Sequence, residues 1–279
     1  MIINTTILSW VTFIYFGSAV FYIFRLVTGK GFWGTLASVT ALVGLLAQTA
    51  ALIIRWFESY ELGIGHAPLS NLYESLIFFA WTIVLLYLIV EWRIKSKHVG
   101  AFVIPFAFLS MAFASFSPNV NSRIQPLIPA LQSNWLISHV ITCFFGYAAF
   151  TLACGLGFMY LIKGLERAGN AGSFLRLLPH REILEELTYH SVVIGFIFLT
   201  LGIITGSVWA YSAWGSYWSW DPKETWSLIS WLVYAAMLHF RFVWGWSGKK
   251  LAIMSLIGFA AVLFTYFGVN LLPGLHSYF

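Results

Sequence analysis

Long apolar stretches alternate with short polar breaks along the whole of this 279-residue chain. Eight stretches, at 7–27, 36–56, 70–91, 100–117, 135–162, 190–211, 226–245 and 251–271, are long enough to cross about 30 Å of hydrocarbon as helices. The pattern predicts an all-α polytopic membrane protein with eight transmembrane helices. No repeat, low-complexity tract or soluble domain interrupts it, so the chain reads as one membrane domain over 1–279. The longest connection, 163–189, mixes basic residues with Leu175, Leu177, Leu178, Ile183 and Leu184 and ends in Glu182, Glu185 and Glu186. It is expected to lie on the cytoplasmic leaflet as an interfacial helix or helical hairpin.

Composition agrees: 9% of residues are charged and 60% hydrophobic, against about 25% and 45–50% in soluble domains. Charge then sets the orientation. The connections after helices one, three, five and seven hold Arg25, Lys30, Arg93, Lys95, Lys97, Lys163, Arg167, Arg176, Arg181, Arg241, Lys249 and Lys250, twelve of the fifteen Lys and Arg. The other side has Arg55, Arg123 and Lys223, so the first set is cytoplasmic. Both termini and the segment between helices six and seven are then outside. A bacterial cytoplasmic membrane and, as the alternative, a thylakoid membrane give the same asymmetry. The net charge of +5 belongs to the cytoplasmic loops and gives no argument for nucleic acid. The amino terminus has neither a basic region nor a small-residue cleavage site, so the first stretch is expected to stay as a helix. Cys143 and Cys154 lie about 16 Å apart on one helix, too far to bridge, and read as packing residues.

Six of the fourteen tryptophans fall between Trp209 and Trp231. Their centre, within a tryptophan-rich segment at 209–226, reads Trp214-Gly-Ser-Tyr-Trp-Ser-Trp-Asp-Pro-Lys-Glu224. An interfacial aromatic belt needs no fixed spacing. Four tryptophans in thirteen positions, interleaved with Gly215 and Tyr217, exceed what anchoring needs and suit a large planar aromatic ligand. Asp221-Pro222-Lys223-Glu224 has the form of a helix start, with Asp at the N-cap, Pro at the first position and Glu at the third. Asn71-Leu-Tyr-Glu74 before helix three is a second such start. Lys223, Arg55 and Arg123 are the outer cations that could pair with a propionate.

Histidines supply the remaining chemistry. His139 sits one turn inside the outer end of helix five, after Trp135; His276 follows the last helix, beyond Pro273 and Gly274. The tryptophan segment lies between them in sequence and all three share one face of the membrane. Two neutral imidazoles from different elements can ligate a haem iron axially, leaving the porphyrin faces for aromatic contact. His239, about 20 Å down helix seven, is an intramembrane ionisable group, although Arg241 beside it also fits a plain helix end. His190 shares that ambiguity, His66 is open between ligand, supporting residue and loop residue, and His98 and His180 read as solvated.

The stretch Trp214–Trp226 resembles the tryptophan-rich WWD signature of the haem-handling proteins of cytochrome c biogenesis. From about residue 60 onward the chain is similar to one branch, the CcsA (ResC) family of system II. Carrying that likeness are Pro68-Leu-Ser-Asn-Leu-Tyr-Glu-Ser75, the Trp135/His139 pair, His239, the Asn270-to-His276 segment and the eight-helix size. The resemblance implies that His139 and His276 hold haem b at an outer site lined by Trp214, Tyr217, Trp218, Trp220, Asp221 and Trp226. It implies that His239 ligates haem at an inner site completed by a CcsB (ResB) partner subunit, unless His190 substitutes. The implied role is a subunit of cytochrome c synthase that carries haem across the membrane and presents it to the Cys-x-x-Cys-His segment of apocytochrome c, with thiol-reducing thioredoxin-like proteins as further partners. No residue is identifiable as an acid or base for thiol addition, so the likeness to a haem lyase leaves enzyme status open. Two rivals remain. A b-type cytochrome would need histidines facing one another across helices within the bilayer. A transporter of another amphipathic solute would need a broken helix, for which Gly202-Ile-Ile-Thr-Gly206 is the only hint, and that spacing also serves close helix packing.

Overall fold

The computed structural model describes residues 2–165 and 175–272. Eight α-helices account for most of them: α1 Ile2–Thr28, α2 Gly31–Glu61, α3 Leu72–Ile94, α4 Gly100–Phe116, α5 Asn134–Lys163, α6 Arg181–Trp214, α7 Pro222–Trp244 and α8 Lys249–Tyr266. Seven are long and apolar enough to cross a membrane; α4, at 17 residues, is the shorter one. The expected all-α polytopic architecture is thus observed among the described residues. His276 lies outside them, as does the stretch 166–174 of the expected interfacial segment.

Most helices run past their apolar stretch at one end or both, whereas α8 stops at Tyr266, short of the expected 271. α2 spans 31 residues, about 46 Å at 1.5 Å per residue, where the apolar stretch alone covers 36–56. Hydropathy detects the part that belongs in hydrocarbon, whereas the backbone hydrogen-bond ladder continues until a cap or glycine stops it. α6 shows the same effect. It begins at Arg181, so Glu182, Glu185 and Glu186 lie in its first turns, and among the described residues the preceding connection holds the short 3-10 turn Leu175–Leu177.

The chain divides into two compact units, 1–128 with 165–179, and 129–164 with 180–279. In unit 1, α1 packs against α2 and α4, and α3 closes the group on α4 and α2. Its interior carries polar layers. Tyr15 donates to Gln48 Oε1 at 2.6 Å, and Gln48 Nε2 donates to the Ile77 carbonyl at 2.7 Å. At one end Arg55, 1% exposed, holds Glu74 through Nε and Nη2, both at 2.8 Å. At the other, the Glu91 carboxylate accepts from Tyr22 (2.6 Å), Ser38 (2.5 Å) and Tyr87. Inside an apolar bundle such groups must find protein partners, and these contacts tie three helices together.

In unit 2, α5 packs closely on α6 and on α8, while α7 packs on α8 and α6. α5 is the central element, buried along most of its length from Cys143 to Tyr160. Its small residues let neighbours approach: a Cβ on Gly146 would lie 3.1–3.2 Å from the α6 backbone at Leu199 and Gly195. Both cysteines are free and buried, in keeping with a packing role.

Candidate functional site

The candidate site is built on α5, α6 and the turn into α7 in unit 2. Ser133 caps α5 by accepting from the Trp135 N–H at 3.3 Å, which places His139 in the second turn. The Nδ1 of His139 lies 2.8 Å from the Gly202 carbonyl of α6. A carbonyl only accepts, so Nδ1 carries the proton and the lone pair is on Nε2, the atom that would ligate a metal. α6 can come this close because it lacks side chains there. A Cβ on Gly206 would sit 2.5 Å from Nδ1 and 2.7 Å from Cε1 of His139, and one on Gly202 would sit 2.6 Å from Cys143 Sγ. The Gly202–Gly206 pair is therefore a packing notch: α6 runs unbroken from Arg181 to Trp214.

One turn further along α6, Trp209 stacks on the His139 ring, with centroids 5.7 Å apart and planes at 22°. Trp209 is 3% exposed, its Nε1 donates to the Ala130 carbonyl at 2.8 Å, and its edge meets Trp214 at 5.1 Å. Sequence reasoning counted Trp209 in the cluster without assigning it to the ligand site. Its spacing of three from Gly206 and seven from Gly202, which puts all three on one helix face, was the signal.

Beyond Trp214 the chain turns at Gly215 in the left-handed conformation, φ 77°. Tyr217 stacks on Tyr211 at 4.4 Å and 11°, and its carbonyl accepts from Ser207 Oγ at 2.8 Å. Trp218 and Trp220 meet edge to face at 5.8 Å; the buried Trp218 Nε1 has no hydrogen-bond partner among the described residues. Trp220 is 68% exposed and has φ 59°, a conformation that costs a bulky L-residue about 1–2 kcal/mol. The Glu224 carboxylate holds the turn in place by accepting from Ser219 N at 2.7 Å, Ser219 Oγ at 3.2 Å and Asp221 N at 3.3 Å. Asp221 accepts in turn from Lys223 N at 2.9 Å. The capping box read from Asp221-Pro-Lys-Glu224 is present, and this pair shapes the turn from which the indoles project. Trp226 faces elsewhere, against Phe264 of α8 at 4.1 Å, with its carbonyl held by Thr265.

The other candidates are more dispersed. His239 is exposed on α7, its ring near Phe240 and Trp244. His190 is exposed on α6 and lines a groove of about 450 Å³ with Glu182, Glu185, Glu186, Tyr189 and Arg241. His66 is 6% exposed, its ring bridging the Ala67 and Gln125 carbonyls at 2.8 and 3.0 Å, so it fastens a loop of unit 1. Arg55, an expected cation for an anionic ligand, is committed to Glu74, and the Asn71–Glu74 cap is formed around that pair by Glu74 N to Asn71 Oδ1 at 2.9 Å. Arg123 is exposed. His98, expected to be solvated, is instead 9% exposed: the turn from α3 to α4 is only five residues long and folds the ring inward. Desolvation, with the nearby Arg25 charge, lowers its pKa to about 4.

The chain is similar to known proteins along most of its length. The family described as cytochrome C assembly protein matches residues 69–276. A cytochrome c biogenesis protein CcsA of Prochlorococcus marinus (strain MIT 9303) is 43% identical, covering 94% of this chain and 92% of its own. This chain is a CcsA-type member of the cytochrome c assembly family. CcsA of Chlamydomonas reinhardtii is 45% identical over 85% of this chain and 66% of the relative. Among solved structures, one titled cytochrome c heme lyase CcmF shares the fold, with a TM-score of 0.68 at 18% identity. That match takes in 94% of this chain and 46% of the larger protein. Membership makes this a membrane protein of cytochrome c biogenesis. The imidazole donor and flat indole surfaces fit haem, the group such a protein handles.

Proposed function

We propose that this protein is the haem-handling subunit of a cytochrome c synthase and that His139 is an iron ligand of its haem-presenting site. The observation that carries the reading is the His139 ring, held by the Gly202 carbonyl and by Trp209 so that Nε2 is the ligating atom. On this reading Trp214, Tyr217, Trp218 and Trp220 line the porphyrin, and Asp221 shapes their turn. Trp226 supports that wall through α8, and His276 supplies the second axial imidazole. The charge asymmetry of the connections supports putting this site outside and His239 in the inner half of the bilayer. There His239, on an exposed face of α7, can be joined by a ligand from a CcsB-type partner subunit. Haem b would enter at His239 and be presented outside with its vinyl groups accessible. The two thiols of apocytochrome c, kept reduced by thioredoxin-like proteins, would add across those vinyls, and the substrate's own histidine would displace one axial ligand. What the chain itself supplies is orientation and axial ligation.

The test is a pair of variants read by absorption spectrum and by transfer of haem to a Cys-x-x-Cys-His peptide. His139→Gly should lose the bis-imidazole spectrum and peptide haemylation, and added imidazole should restore the spectrum. Retention of both by His139→Gly refutes the assignment. Haem that stays bound and is never transferred favours a b-type cytochrome instead.

A further inference from the structure

We infer that the start of α2 in unit 1 is a binding site for the phosphate of an anionic phospholipid. α2 begins at Gly31 with no side-chain cap and no acid in its first turn, leaving its first N–H groups without a side-chain acceptor among the described residues, at the positive end of the longest helix of that unit. Two cationic side chains converge on that turn: a Cβ on Gly34 would meet Lys97 Cδ at 3.0 Å and Arg25 Cγ and Cδ at 3.3 Å. Lys97 Nζ donates to Thr35 Oγ1 at 3.2 Å, and Arg25 Nη1 donates to the Gly29 carbonyl. One donor remains beyond those contacts: Arg25 Nε is buried without a partner among the described residues. The Nε2 of His98, a residue nine-tenths buried beside the Arg25 charge, also has no partner among them.

The local charges leave an anion wanting. Arg25, Lys30 and Lys97 are gathered here. The Glu91 carboxylate is engaged by Tyr22, Tyr87 and Ser38, the last one turn along α2 from Gly34. A phosphate diester brings one negative charge and several acceptor oxygens, matching both the helix end and the unpartnered Arg25 Nε–H. What surrounds the cluster is apolar and aromatic: Val27, Phe32 and Trp92 are 65%, 68% and 74% exposed, the rim expected where acyl chains leave a headgroup. A zwitterionic lipid would carry its own cation into a cluster of cations, so the occupant is an anionic lipid.

Native mass spectrometry of the full chain, released from detergent with equimolar phosphatidylglycerol and phosphatidylcholine, tests this. Preferential retention of phosphatidylglycerol is expected. Lys97→Gln should weaken it about fivefold, and Arg25→Gln with Lys97→Gln about 25-fold, at roughly a fivefold factor per cation. Lys97→Arg should keep it. Arg93→Gln, an exposed cation at the same end of α3 and outside the cluster, should leave retention unchanged, and Lys97→Gln alone suffices if the double variant fails to fold. Equal retention of both lipids, equal loss in Arg93→Gln, or displacement of the lipid by millimolar inorganic phosphate overturns the proposal, the last by making it a free-phosphate site.

Discussion

Gly206→Ala should damage haem binding far more than folding. The added Cβ would stand 2.5 Å from Nδ1 and 2.7 Å from Cε1 of His139, so the ring has to retreat by about 1 Å to reach ordinary contact distance. That retreat takes Nδ1 out of hydrogen-bonding range of the Gly202 carbonyl, now 2.8 Å away, and tilts the ring off Trp209. Losing the hydrogen bond costs about 0.5–1.5 kcal/mol and overpacking about 1–3 kcal/mol, while alanine returns up to about 1 kcal/mol of helix propensity. The net effect on stability is about 1–3 kcal/mol. Ligation responds more sharply, because losing the hydrogen bond that orients a metal-bound histidine typically costs about 10–100-fold in affinity. The assay is haem titration of purified protein followed at the Soret band, beside a thermal unfolding curve. Gly17→Ala on α1, where a Cβ meets nothing within 4 Å, is the control and should leave the haem titration at wild type. Wild-type haem affinity in Gly206→Ala would show that the notch does not position the ring and would refute the reasoning.

Three further outcomes follow from named contacts. Trp220→Gly should relieve about 1–2 kcal/mol of left-handed strain and raise the unfolding midpoint while lowering cytochrome c maturation; unchanged maturation would mean the strained indole has no role. Arg55→Leu should destabilise by about 3–5 kcal/mol because it strands the buried Glu74 charge, and the Arg55→Leu/Glu74→Leu pair should recover most of that loss in chemical denaturation. For His98, whose folded pKa of about 4 lies below the unfolded value of about 6.5, the neutral ring stabilises the fold above pH 6.5. That contribution falls away as pH drops from 6.5 to 4. Unfolding midpoints across that range should decline less in His98→Gln, and an identical decline would exclude the histidine as its source.

Local signals in the chain were enough for the helices and two of their starts. Apolar runs located all eight helices, and Asn71–Glu74 and Asp221–Glu224 announced caps that the structure contains, because a cap is settled within four residues. The density of tryptophan after position 209 marked the turn into α7 on which the proposed site is built. Pairing across helices could not be read. That Gly202 and Gly206 seat His139, that Trp209 is the indole stacked on it, that Arg55 belongs to Glu74 and that His98 is buried each depend on which helices become neighbours. The left-handed turn at Trp220 is local, held where Glu224 accepts from Ser219 and Asp221, but nothing in the residue types announced its φ. Periodicity and capping express the hydrogen-bonding needs of one helix, and the sequence determines those by itself. Which side chain meets which backbone gap is decided only when the tertiary structure brings α5, α6 and the turn into α7 together.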